Sequence, residues 1–92
     1  MPYCIEHTDT YCGEPNYAWV HRYIVDAKDM PQAILAARAA VGWRGLRTIT
    51  GADSGGMASL RLPRVCQIVF IDWQEAEYAQ GKPIDIHGNP LE

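Results

Sequence analysis

Three cysteines and three histidines are the side chains of this sequence most suited to chemistry: Cys4, Cys12, Cys66, His7, His21 and His87. Cys4 and His7 stand at a Cys-x2-His spacing, which would suit a divalent metal only if the chain between them turned. On an extended strand, residues three apart point to opposite faces, so the pair cannot grip one ion. No Cys-x2-Cys pair accompanies them, and no metal or other cofactor is expected. Thiol catalysis is the second chemistry to weigh. Cys12 precedes Gly13 in turn-forming sequence where a thiolate would be exposed, and His7 or His21 could lie beside it. No local signature of a cysteine enzyme surrounds it, so no catalytic residue is assigned. Cys4 and Cys66 alternate with apolar residues and read as small core side chains.

Other chemistry is no better marked. The stretch 51–56 holds Gly51, Gly55 and Gly56 but lacks the Lys-Ser/Thr pair and following helix of a phosphate loop, so it reads as a connection between strands. Glu75 and Glu77 sit at a spacing that separates them on a helix, which makes them a solvated face. The strongest feature is aromatic. Residues 9–16 are a polar loop that runs straight into a strand, residues 17–26, in which Tyr17, Trp19, His21 and Tyr23 alternate and line one face. Ala18, Val20, Arg22 and Ile24 take the other. A strand with apolar character on both faces is buried twice or carries a surface for a partner. Stacked aromatics beside Arg44, Arg47, Arg61 and Arg64 could hold single-stranded nucleic acid, although Asp9 and Glu14 make the adjoining loop acidic.

These residues need elements to hold them. Residues 2–7 read as a first strand, with Tyr3, Ile5 and His7 alternating against Cys4 and Glu6. A helix follows the second strand: Asp29 is the N-cap, Pro31 sits in the first turn, alanines dominate 32–41, and Gly42 ends it. Met30, Ala33, Ile34, Ala37 and Val41 share its buried face, with Gln32, Leu35 and Arg38 pointing away. Residues 46–50 form a third strand, and residues 57–62 and 65–72 a hairpin about Pro63-Arg64. The apolar run 65–71 makes the last of these the central strand. Residues 73–80 hold one or two helical turns before Gly81, and residues 81–92 are an extended, mobile tail outside a single domain of residues 1–80. The fold class is α+β: a mainly antiparallel five-stranded sheet, ββαβββ, with one helix on one face.

The 92 residues, 48% of them hydrophobic, suit one globular core. No apolar run reaches the ~20 residues of a membrane helix, the first residues lack the pattern of a signal peptide, and free thiols suit a reducing compartment. A cytoplasmic protein without membrane contact is the expectation. The net charge of −3 has the wrong sign for a general nucleic-acid binder. Its distribution, acidic at both ends and basic between, is satisfied by self-complementarity in the fold. One helix of about twelve residues spans ~18 Å and cannot cover a five-stranded sheet ~20–24 Å wide. A second copy of the chain, in a homodimer, would cover what remains.

The run Asp9-Thr10-Tyr11-Cys12-Gly13-Glu14, followed by Asn16-Tyr17-Ala18-Trp19-Val20, resembles a motif of small bacteriophage and prophage proteins, "ETYGGEANYSWV", with an Ala-rich helix and a short hairpin behind it. The resemblance covers about residues 3–72. It departs at Cys12, where the pattern often has glycine, and at Pro15, where it often has alanine. It implies a phage or prophage origin and no particular reaction. Small phage proteins without catalytic motifs often occlude a host protein, and inhibitors of bacterial defence, anti-CRISPR proteins among them, are commonly of this size. The implied function is a non-enzymatic accessory protein that binds and inhibits a host protein complex. Its contact surface would be Tyr11, Glu14, Tyr17, Trp19, His21, Tyr23, Arg44 and Arg47, since Tyr, Trp and Arg dominate interface energetics. The alternatives are a single-stranded nucleic-acid binder using the same aromatics with the arginines, and a small enzyme built on Cys12.

Overall fold

The computed structural model describes residues 1–52 and 56–91. Two long strands, β1 (Pro2–Tyr11) and β2 (Glu14–Asp26), form an antiparallel hairpin. The alternation read in the sequence is present: Tyr3, Ile5 and His7 are buried, while Cys4 and Glu6 between them lie half-buried on the opposite face. The stretch 9–16, expected as a loop, is instead the end of this hairpin. Pairing continues through Thr10↔Pro15 and Tyr11↔Glu14. Only Cys12 and Gly13 turn, both with positive φ (53° and 81°), as a two-residue type I′ turn requires.

The helix α1 (Met30–Ala40) forms where the sequence places it. Asp29 accepts the Gln32 N–H at 3.0 Å, and Gln32 Oε1 in return accepts the Lys28 N–H at 2.9 Å, so two otherwise orphaned donors are satisfied. Gly42, at φ 83°, takes the left-handed position after the helix. Ala33, Ala36 and Ala37 are fully buried, and this methyl-lined face lets the helix approach the sheet closely. Beneath it Ile5, Val25, Leu60, Val69 and Ile71 are fully buried. Leu35 points to solvent.

The rest of the sheet is β3 (Ile49–Ala52), β4 (Met57–Arg61), β5 (Gln67–Trp73) and β6 (Lys82–Ile84), in the spatial order β3-β4-β5-β1-β2-β6. The third strand starts later than expected, because Trp43 through Leu46 form a turn closed by Leu46 N–H to Trp43 O at 3.0 Å. Of the expected connection 51–56, residues 53–55 lie outside the described residues. The helical turns expected over 73–80 reduce to one 3₁₀ turn, Ala76–Tyr78. β5 lies inside the sheet, as its apolar run implies.

The larger correction is at the C-terminus. The sheet has six strands rather than five and is mixed: β6 runs parallel to β2 along its outer edge, and every other pairing is antiparallel. Gly81 makes this possible. A Cβ there would lie 2.7 Å from the backbone of Arg22 and of Tyr23, at φ 137°, so only glycine brings the chain this close to β2. The segment 81–92, expected as an extended tail, therefore carries a strand, and after it the chain closes a small loop. Leu91 N–H bonds Pro83 O at 3.0 Å, Ile84 bridges Pro90, and Gly88 packs against Ala39 and Ala40 of the helix. On the helix-free face, Gln74, Tyr78 and Gln80 of the β5–β6 crossover border a hollow with Cys4, Glu6 and Arg22. No helix among the described residues is long and apolar enough to cross a membrane.

Candidate functional site

The end of the β1–β2 hairpin carries an irregularity that the sequence does not announce. Thr8 pairs with Val20 and Thr10 with Pro15, so Asn16, Tyr17, Ala18 and Trp19 stand opposite Asp9 alone. The Asp9 carboxylate organises this bulge. Its Oδ1 accepts the Ala18 N–H at 3.0 Å and its Oδ2 accepts Asn16 Nδ2–H at 2.9 Å. These bonds, that from Asn16 foremost, hold the Asp9 carboxyl below the usual carboxylate range. The buried Thr8 hydroxyl donates to Trp19 O at 2.7 Å and ties the bulge to β1.

The bulge reverses the alternation. Tyr17 has φ 55°, in the left-handed region, where a bulky residue is a true outlier. Its side chain thereby leaves the face of Trp19, His21 and Tyr23 and crosses to the helix-free face. There its hydroxyl donates to Glu6 Oε1 at 2.7 Å, while Arg22 Nε reaches Glu6 Oε2 at 3.2 Å. The bond to the carboxylate raises the Tyr17 phenol above its ordinary value. The expectation that four aromatic-type side chains of β2 share one face is corrected to three.

Those three differ in depth. Tyr23 packs against the core. Trp19 is half-buried, its ring edge-on to His7 at 4.9 Å, and His21 is exposed beside it at 5.4 Å. His7 lies under this patch. It is only 9% exposed, meets Trp43 edge-on at 5.5 Å, and pairs through Nε2 with Gln67 Oε1 at 2.8 Å. Burial lowers its proton affinity, the Gln67 bond opposes that, and the neighbouring His21 charge adds to the lowering.

The eight residues expected as a contact surface thus fall into three groups. Tyr11, 72% exposed, Tyr17, 50% exposed, and Glu14 form the hairpin end. Trp19, His21 and the deeper Tyr23 lie on the helix side. Arg44 and Arg47 belong to the loop after α1, both exposed. Arg61, by contrast, sits on the helix-free face, with its Nη2 donating to Gly13 O at 3.1 Å, so the four expected arginines do not make one patch. Cys12 is exposed in the hairpin turn, and Cys4 and His7 point to opposite faces, as their spacing requires. Neither Trp43 nor the role of Asp9 is marked by residue type alone. The spacing of Asp9 and Asn16 around a tight turn was the available signal for the latter. No protein-family model, curated protein or solved structure matches the chain.

Proposed function

We propose that this chain is a non-enzymatic binding protein whose β1–β2 hairpin end is the contact surface for another protein. Its partner is a host protein complex, and the resemblance to small phage proteins favours a bacterial defence system as the class. One observation carries the reading. Tyr17 is held in left-handed backbone, a position that favours glycine, while half of its side chain remains open to solvent. Backbone strain of this kind persists where surrounding structure over-determines it, and it concentrates at functional sites. Here Asp9 supplies the restraint, and Tyr11, further along β1 at the hairpin end, adds a second exposed ring. Rigid, exposed tyrosines supply contact area at a low cost in conformational entropy. The nucleic-acid alternative has less support, because Arg61 and Arg44 are engaged on opposite sides of the sheet.

Affinity capture from a bacterial lysate tests the proposal, comparing the wild-type chain with Tyr11→Ala/Tyr17→Ala. Wild type should retain a defined protein species that the double variant loses although it still unfolds in one cooperative transition. Equal capture by both would remove the hairpin end as the surface. Binding of a fluorescent oligonucleotide that weakens steeply with salt would instead assign the site to nucleic acid.

A further inference from the structure

A cavity of about 350 Å³ opens on the outer side of α1, lined by Gln32, Leu35, Arg38, Arg44 and, from the C-terminal loop, Ile86 and His87. Its volume falls within the ~300–1,000 Å³ of small-molecule sites. The sequence builds it from three separate segments. Gln32, Leu35 and Arg38 are spaced by three along the helix, so they share one face. Arg44 follows in the turn after the helix, and the 85–91 loop is brought alongside because Gly88 lets it touch Ala39 and Ala40.

We propose that this cavity binds a small organic oxyanion, a carboxylate or phosphate carried on an apolar group. The cationic donors are only partly used. Arg38 Nη2 donates to Leu46 O at 2.8 Å and Arg44 Nη2 to His87 O at 2.9 Å, bonds that fix both guanidinium groups in place. Neither arginine is ion-paired to a carboxylate among the described residues, where the ion pairs are Met1–Asp26 and Arg22–Glu6. Each guanidinium keeps further N–H donors beyond these single bonds, and guanidinium groups bind such anions through paired, charge-assisted hydrogen bonds. The acid of that loop, Asp85, does not line the cavity, and its Oδ1 is turned to the loop's own backbone, accepting the N–H groups of His87 and Asn89, each at 2.9 Å. The apolar requirement comes from Leu35 and Ile86, both exposed on the cavity wall. Neither supports the core, so an apolar body on the ligand would cover them.

The test is a titration of the full chain followed by the arginine Nε–H resonances and by calorimetry. The probes are phenyl phosphate, 4-phenylbutyrate, inorganic phosphate and benzyl alcohol. At least one of the two aromatic anions should saturate, move the Arg38 Nε–H resonance, and bind about tenfold more tightly than inorganic phosphate. A preference between the two identifies the head group as phosphate or carboxylate, and either preference supports the assignment. Arg44→Gln, at an exposed side chain, should weaken binding about tenfold through loss of charge-assisted bonds. Leu35→Gln, also exposed, should erase the advantage over inorganic phosphate, and it keeps the test open should Arg44→Gln melt early. No saturable shift at Arg38 Nε with either aromatic anion would overturn the proposal. Benzyl alcohol binding as tightly as the anions, or unchanged binding in a folded Arg44→Gln chain, would do the same.

Discussion

Tyr17→Gly separates the two roles that Tyr17 combines. On backbone grounds the substitution is favourable, since a left-handed conformation costs an L-residue about 1–2 kcal/mol and costs glycine nothing. Glycine gives back about 0.5–1 kcal/mol through the greater freedom of its unfolded chain. The Tyr17–Glu6 bond, 2.7 Å and exposed, contributes about 0.5–1.5 kcal/mol net when lost. These terms nearly cancel, so stability should change by no more than about 1 kcal/mol, or roughly 4–8 °C in Tm for a domain of this size. The interface has no such compensation. A central tyrosine is worth about 2 kcal/mol or more when removed, which weakens partner binding by about thirtyfold or more. Urea unfolding and a binding titration on the captured partner read the two effects separately. A stability loss well above about 2 kcal/mol would show that Tyr17 holds the fold rather than a partner. Unchanged affinity in a stable variant would refute the interface role. Trp19→Ala is the control: its ring is half-buried on His7, so it should cost about 1–3 kcal/mol of stability whatever the partner.

Two further perturbations test the parts that hold the site. Gly88→Ala forces a Cβ to within 2.6 Å of Ala39 Cβ and 2.8 Å of Ala40 N at φ 83°, which should cost about 2–4 kcal/mol by strain and overpacking together, measured by urea unfolding; a neutral result would show that the loop over α1 yields freely. His7 has its folded proton affinity lowered from 6.5 by burial, so the unfolded chain binds the proton more readily. Its contribution is therefore complete above the unfolded value and declines as pH falls from there toward the folded one. His7→Phe should flatten the loss of stability between about pH 7 and about pH 5, above the range where most carboxylates titrate; an unchanged slope would assign the pH dependence to other groups.

Much of the frame was legible in the residues themselves, because the physics there is local. Asp29, Pro31, the alanine run and Gly42 specify α1 from one end to the other, and the alternation of Tyr3, Ile5 and His7 marks the buried side of β1. The same local rule placed Cys4 and His7 on opposite faces. It failed at Tyr17, because strict alternation holds only while the two strands advance in step. Four residues of β2 against the single Asp9 break that step, and the break exists only once Asp9 on one strand meets the Asn16 side chain and the Ala18 N–H on the other. The C-terminal segment is the same case at longer range. Lys82-Pro83-Ile84 is too short to declare itself a strand, and it becomes one because Gly81 admits it to the edge of β2, some sixty residues earlier in the chain. The cavity between Arg38, Arg44 and His87 follows from that docking. Its donors are visible in the sequence, but their convergence depends on contacts between segments far apart in the chain, and only the tertiary structure decides those.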